Sequence, residues 1–384
     1  MLERSIEILR DLIAYPTVST DSNLDMIADI QARLETRGAR VFRTADETGT
    51  KANIFATLGP DGPGGILLSG HTDVVPVADQ DWATDPFELV ERDGQFFGRG
   101  TCDMKGFIAA ALAFAETVDP LELPRPLHFA FTHDEETGCL GARHLIQALR
   151  ERDVRPGVAI IGEPTEMRVI EGHKGCCEYT THITGLEGHG SAPDAGVSAV
   201  EYAVRYVARL LELREALVRR APGSSRFDPP WTTISVGRIS GGVAHNVIAG
   251  RAEVDWEMRP VQAADADFVK AEIARYCADT LLPAMRAVHP EADIALTIIG
   301  EIAGLEPMDV NAARDLVAEL TGANTTDLVA FGTEAGLIQS LGTDVVVCGP
   351  GSIMQAHKPD EYLARDQLQA CCAMLGSLGK RLST

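Results

Sequence analysis

Six residues stand out for their chemistry and their placement. His71 lies in Ser69-Gly70-His71-Thr72-Asp73-Val74-Val75-Pro76, and Asp103 in Gly98-Arg99-Gly100-Thr101-Cys102-Asp103-Met104-Lys105-Gly106. Glu135 and Glu136 are adjacent, Glu163 sits in Ile161-Gly162-Glu163-Pro164-Thr165, and His357 follows Gly349-Pro350-Gly351-Ser352. Imidazoles and carboxylates in this proportion suit zinc or a similar divalent ion. Asp103, central and beside a glycine-flanked turn, is the best candidate to bridge two ions. Ions about 3.5–4 Å apart leave room for a shared water whose pKa falls toward about 7. Asp73 lies two residues after His71, and positions i and i+2 of an extended chain share a face. Its carboxylate is therefore expected to accept the spare ring N–H of His71 and fix the tautomer. Neighbours on an extended chain point in different directions, so Glu135 and Glu136 divide the work. One binds metal; the other faces the water as general base. Taken singly, an Asp-Glu-Glu run or a Glu-Pro-Thr is usually a solvated turn. What sets these residues apart is that they cluster just after apolar strands.

Those strands come from the hydrophobic pattern. Apolar runs at 66–68, 127–131, 158–161 and 345–347 read as buried strands, and helical stripes at 104–115, 142–149 and 368–378 lie between or after them. Two further helices open the chain, with Leu2, Ile6, Leu9 and Ile13 on one stripe and Met26, Ile27, Ile30 and Leu34 on the other. Strands alternating with helices predict an α/β fold, a mostly parallel sheet flanked by helices. Ligands of such sheets bind beyond the carboxyl ends of the strands, so the six residues should converge on one edge. The middle of the chain differs. Cys177, Tyr179, Thr181 and Ile183 alternate like a half-exposed strand, a helix covers 200–211, and strands are expected at 232–239 and 254–258. A helix at 268–282 and a strand at 294–298 follow. This order, strand-helix-strand-strand-helix-strand, is ferredoxin-like. A small α+β domain at 177–301 is thus expected to be inserted into a larger domain made of 1–176 and 302–384.

The chain has 384 residues, 34 Lys and Arg against 56 Asp and Glu, and a net charge of −22, which argues against nucleic-acid or anionic-membrane partners. Hydrophobic residues at 45% are enough for a core and exclude an acidic disordered chain. No apolar run is long enough to span a membrane. The first residues carry no basic head or cleavage site, so no leader is expected and the cytoplasm is the expected location. Eight dispersed cysteines without Cys-x-x-Cys spacing are expected to be reduced, with Cys371 and Cys372 in the core.

At these motifs the sequence resembles peptidase family M20, the co-catalytic zinc aminoacylases and exopeptidases. Asp134-Glu135-Glu136 and the stretch Gln355-Ala356-His357-Lys358-Pro359-Asp360-Glu361 complete the match. More narrowly, Phe331-Gly332-Thr333-Glu334-Ala335-Gly336 and residues 82–87 resemble the branch that deacetylates acetylornithine. The resemblance implies that His71 and Glu163 bind one zinc, that Glu136 and His357 bind the other, and that Asp103 bridges them. Cobalt or manganese are alternatives with such ligands. It implies Glu135 as the base that activates the attacking water, Asp73 as the orienter of His71, and a cis peptide at Asp103–Met104. It implies that the inserted domain is a lid and dimer surface, making a homodimer, with His189 of Gly188-His189-Gly190-Ser191 reaching the scissile carbonyl. Arg259 is expected to grip a substrate carboxylate, Asn246 to donate to the same region, and the Gly351 stretch to offer backbone N–H groups. Glu334 either reads a substrate ammonium or is an exposed turn, and His173 is expected near the hinge. The implied reaction removes the acetyl group of N-acetyl-L-ornithine, giving L-ornithine and acetate in arginine biosynthesis. The alternatives are another N-acyl amino acid deacylase, such as succinyl-diaminopimelate desuccinylase, or a dipeptidase. A relative that binds a small amide without hydrolysing it would have little reason to keep Glu135.

Overall fold

The computed structural model describes residues 1–382. The chain divides into two compact units. One comprises Met1–Gly172, Pro307–Val329 and Thr333 onward; the other comprises His173–Glu306 with Ala330–Gly332. The second unit extends a few residues beyond 177–301 at both ends. The reason is a local stitch: the His173 N–H donates to Leu305 O at 3.1 Å and the Gly175 N–H to Pro260 O at 2.8 Å.

The first unit is built on an eight-stranded sheet. Its spatial order is Arg40–Ala45, Ala52–Leu58, Leu127–Thr132, Ile66–His71, Val158–Pro164, Asp344–Gly349, Ile170–His173, Asp327–Val329. The four central strands, from Leu127–Thr132 to Asp344–Gly349, are mutually parallel. Strand Ala52–Leu58 joins them antiparallel on one side and Ile170–His173 on the other. Ile66–His71 and Leu127–Thr132 are buried at every position, so both sheet faces are covered. Helices Leu2–Ile13, Gly106–Thr117 and Arg365–Leu382 pack together in one layer. Leu140–Glu151 packs with the short helix Ala335–Gln339 and on strand Ala52–Leu58. Gly106–Thr117 is buried along nearly its whole length and reads as apolar all round, which suits a core helix. The antiparallel pair Arg40–Ala45 and Ala52–Leu58 was not expected from the hydrophobic runs. Arg40–Ala45 is a half-exposed edge strand with little apolar content to mark it. All eight cysteines are free, and Cys371 and Cys372 lie in the core. No helix among the described residues is long and apolar enough to cross a membrane.

The second unit has the ferredoxin-like order. Its four-stranded antiparallel sheet runs Thr233–Gly241, Arg251–Arg259, Cys176–Thr184, Asp293–Ile302. Period-two alternation explains the single covered face. Cys177, Tyr179 and Ile183 together with Val254, Trp256 and Met258 are buried with Tyr206, Leu210, Leu213 and Leu217 of helix Ala199–Arg219 and Val269 and Ile273 of helix Ala263–Tyr276. Tyr179 and Trp256 are directly cross-strand and stack at 4.5 Å between centroids.

Close approach of helix Gly106–Thr117 to the sheet depends on Gly162. A Cβ there would fall 1.9 Å from Phe107 Cγ, inside a ring that is itself fully buried. Overpacking of this kind costs about 1–3 kcal/mol or more. Gly162→Ala should therefore lower the thermal midpoint by several degrees. Gly223→Ala, with nothing within 4 Å of its added carbon, should leave it unchanged; calorimetry of the two variants side by side checks this.

Candidate metal centre

The parallel centre of the sheet explains how distant residues meet. His71 is the last residue of its strand and is paired in register with Thr132, so the Glu135–Glu136 turn leaves the sheet beside it. Glu163 lies next to the end of Val158–Pro164, and His357 follows Asp344–Gly349. Four strands pointing the same way deliver their C-terminal residues to one edge. Asp103 arrives in the turn Thr101–Lys105 that opens helix Gly106–Thr117, after Gly100 in a left-handed conformation (φ 85°). The Asp103–Met104 peptide is cis.

The two carboxylate oxygens of Asp103 face the two imidazoles separately. Oδ1 lies 3.0 Å from His71 Nε2, and Oδ2 lies 3.5 Å from His357 Nε2. On the His71 side Glu163 Oε1 stands 3.8 Å from the same Nε2. On the His357 side Glu136 Oε2 stands 3.1 Å from Nε2. Glu135 joins the first group: ligand atoms of His71, Glu135 and Glu163 lie within 4.8 Å of one another, as do those of His71, Asp103 and Glu136. The structure thus brings His71, Asp103, Glu135, Glu136, Glu163 and His357 together.

Asp73 supports this cluster differently from expectation. The spare ring nitrogen of His71, Nδ1, is 2.9 Å from the main-chain carbonyl of Asp73, and 3.6 Å from its carboxylate. The carboxylate is engaged elsewhere, accepting the Ser19 hydroxyl at 2.7 Å and the N–H groups of Glu135 and Glu136 at 3.0 and 3.3 Å. It therefore holds the Glu135–Glu136 turn as well as the face beside His71. Ser19 had no sequence signal beyond lying among the first loops. Glu334 is no exposed turn: it is buried and accepts from Ser69 Oγ at 2.6 Å and Thr132 Oγ1 at 2.7 Å. With both oxygens bound inside the fold, it braces the strands of His71 and Thr132, and reading a substrate ammonium does not fit. The Gly351 N–H donates to Gln367 Oε1 at 3.3 Å, so it is already used.

The remaining candidates belong to the second unit. Gly188–His189 pairs antiparallel with Val247–Ile248, and the Gly190 N–H donates to Asn246 O at 2.8 Å, so His189 and Asn246 are neighbours there. Both are exposed, and His189 Nδ1 lies 2.8 Å from Ser191 Oγ. Arg259, half-exposed, pairs with Glu257 on its own strand, donating from Nε at 3.2 Å and Nη2 at 2.9 Å, bonds that use two of the five N–H groups of the guanidinium. His173 is buried with Nδ1 2.9 Å from Lys174 O.

Electrostatically the cluster has too much negative charge for its two imidazoles. Burial, then repulsion from Asp103, drives the Glu163 carboxyl well above its usual range, and its Oε1 is buried with no hydrogen-bond partner. Burial likewise pushes Glu135 up to about 8. The hydrogen bonds with Asp103 and Glu136 lift His357 to about 10. Burial opposes charge on His71, but the adjoining Asp103 and Asp73 outweigh it and raise its pKa well above normal. An unpartnered buried carboxylate oxygen, set beside an imidazole nitrogen and a carboxylate shared by two imidazoles, is a donor set that fits a pair of divalent cations. In the metal-free protein at pH 7 these groups hold protons that a cation must displace. Metal affinity should therefore rise with pH between about 6 and 8. Calorimetric zinc titrations in buffers of different ionisation enthalpy should show net proton release; heats independent of the buffer would contradict it.

Residues 67–381 match Peptidase family M20/M25/M40. The chain is 38% identical over 365 residues to an acetylornithine deacetylase of Shigella sonnei (strain Ss046), covering 93% of this chain and 92% of that one. Among solved structures it resembles an M20 metallo-carboxypeptidase of Sulfolobus solfataricus (TM-score 0.73, 16% identity, 99% of both chains). It also resembles aminopeptidase PepT of Bacillus cereus ATCC 10987 (TM-score 0.72, 17% identity, 100% and 99%). A third likeness is the Bacillus subtilis YXEP protein, a dinuclear metal-binding peptidase (TM-score 0.65, 17% identity, 98% and 97%). With a family match over most of its length and a relative aligned almost end to end, this chain belongs to the M20/M25/M40 peptidase family and is a metal-dependent hydrolase of that family.

Proposed function

We propose that the chain removes the acetyl group of N-acetyl-L-ornithine, giving L-ornithine and acetate, as a step of arginine biosynthesis. The observation that carries the hydrolytic part of this reading is Asp103, one oxygen toward each imidazole, with Glu135 beside it. The choice of substrate leans on the 38% identity to the deacetylase of Shigella sonnei. His71, Asp103 and Glu163 would hold one zinc ion, and Glu136, Asp103 and His357 the other. Such ions, when bound, would supply polarisation of the amide carbonyl and would lower the pKa of the attacking water.

The chain's own residues then handle the protons. Glu135 accepts a proton from the attacking water as its oxygen bonds to the acetyl carbon. It returns that proton to the amine nitrogen as the C–N bond breaks, releasing acetate and ornithine. Its elevated pKa keeps it basic enough to take the proton, and the negative groups around it lose ground once cations are bound. Asp73 fixes the Glu135 main chain, so the carboxylate keeps its aim. The exposed His189 imidazole is assigned to the tetrahedral oxyanion as donor. The small unit is assigned to lid closure and to a homodimer through its edge strand Asp293–Ile302, where Leu296, Ile298 and Ile299 are exposed.

Turnover of N-acetyl-L-ornithine, N-succinyl-diaminopimelate and dipeptides, measured on protein of known zinc content, tests the substrate. Acetylornithine should be used best; efficient use of another with negligible acetylornithine turnover ends that assignment. Glu135→Gln should lower kcat by about 100- to 10,000-fold while two zinc ions per chain remain bound. Near-wild-type turnover in that variant removes Glu135 as the base.

A further inference from the structure

The Asp103 turn and the His357 loop, far apart in sequence, are tied to one buried knot of polar side chains. Glu361 is buried and accepts four hydrogen bonds. Its Oε2 takes Arg99 Nη1 at 2.7 Å and the Gly100 N–H at 3.0 Å. Its Oε1 takes the N–H groups of Cys102 at 2.8 Å and Asp103 at 3.0 Å. Arg99, equally buried, reaches Lys358 O with Nη1 at 3.3 Å and Gln80 Oε1 with Nη2 at 2.6 Å, and its guanidinium lies 5.0 Å from the Trp82 ring centre. Trp82 Nε1 also donates to Gln80 Oε1, at 3.1 Å. The other end of the Gln80 amide, Nε2, donates to the main-chain carbonyl of His357 at 3.0 Å. Chemistry dictates that orientation: Arg99 and Trp82 can only donate, and a carbonyl can only accept.

We infer that Gln80, Arg99 and Glu361 are positioning residues that set the two metal-holding segments against each other. Glu361 fixes the backbone at the shared ligand Asp103, and Gln80 fixes the backbone at His357, whose left-handed φ of 63° is a conformation a non-glycine residue seldom keeps without restraint. Arg99 joins the two anchors and neutralises Glu361, so the buried carboxylate is paired with a cation and both of its oxygens accept hydrogen bonds. The Gln80 side chain bonds to the His357 carbonyl, to Arg99 and to Trp82, and to nothing in the Asp103 turn, so its loss should loosen one of the two ions selectively.

This inference rests on the two-cation reading, so the wild type is titrated first: fewer than two zinc ions per apo chain would sink that reading and not this one alone. The decisive variants are Gln80→Ala and Gln80→Glu, made in the full chain. Gln80→Glu retains an acceptor for Arg99 and Trp82 but no longer donates to His357. Both should bind one zinc, the ion assigned to Glu136 and His357, about 10- to 100-fold less tightly, the usual effect of losing an outer partner of a ligand, with the other zinc within threefold and the thermal midpoint of the apo protein nearly unchanged. Activity assayed against added zinc should recover at higher metal concentration. Two zinc affinities equal to wild type in both variants would overturn the inference. So would equal weakening of both ions together with a lowered apo midpoint, the pattern of a purely structural role. Glu361→Gln, which breaks the charge pairing at Asp103 itself, should weaken both ions; unchanged binding there would also count against the knot.

Discussion

Burying several carboxylates side by side is the constraint on which the rest of this structure depends. Each isolated ionised carboxyl strongly resists removal from water, and like charges within a few ångströms raise that cost. The protein handles its buried acids in two distinct ways. Glu361 and Glu334 are saturated: one receives a guanidinium and three main-chain N–H groups, the other two hydroxyls. Glu163 is left with an oxygen that nothing donates to. The contrast separates carboxylates that build the scaffold from those set aside for a ligand. Saturated acids are complete in the protein alone; an unsaturated one beside His71 is complete only with a cation.

The scaffold around that cluster follows from the same demand. Parallel strands buried on both faces end at one edge, and the loops leaving that edge carry the ligands. Such loops would ordinarily be free to shift. Here each is bonded to a neighbour: Asp73 holds the turn after Leu127–Thr132, and Glu361 the turn before Gly106–Thr117. Lys105, buried just after that turn, donates Nζ to the main-chain carbonyls of Leu12 and Tyr15 at 3.1 and 2.7 Å. Burial lowers its pKa to about 7, which makes it a hydrogen-bonding post for the first helix more than a charge. The second unit shows the opposite pattern. Its sheet is covered on one face only, and alternation along Cys176–Thr184 and Arg251–Arg259 reports that directly.

What the sequence revealed and what it hid divide along this line. Apolar runs and their ends located the central strands and the ferredoxin-like order, because burial on two faces or on one leaves a period in the residues themselves. The clustering of His71, Glu135, Glu136 and Glu163 was legible because they sit at or just after strand ends, whereas Asp103 comes in from a turn before a helix. Hydrogen-bond direction was not. Nothing in the spacing of His71 and Asp73 distinguishes a bond to the side chain from one to the main-chain carbonyl. Nothing in Met258-Arg259-Pro260 shows that Glu257, two positions away on the same strand face, would take the guanidinium. The pairing of Glu334 with Ser69 and Thr132 spans more than 200 residues and exists only because the fold places the start of helix Ala335–Gln339 against two neighbouring strands. Polar networks of long reach carry no periodicity, so they have no signature in a single chain.

The same reasoning distinguishes the surroundings of two adjacent acids. Spacing alone left Glu135 and Glu136 interchangeable, and the family resemblance assigned them. In the structure Glu136 lies against His357 Nε2, which also faces Asp103. Glu135 has no such imidazole bonded to it; its Oε1 accepts from the Cys139 thiol at 3.4 Å, a weak donor that leaves the carboxylate basic. Burial and the charges of Glu136 and Asp103 act in the same direction and carry its pKa to about 8. Burial and repulsion from Asp103 raise the Glu136 carboxyl as well, so what separates the two acids is the imidazole that Glu136 faces. Two identical side chains, one position apart, thus meet different partners, the His357 imidazole for one and the Cys139 thiol for the other.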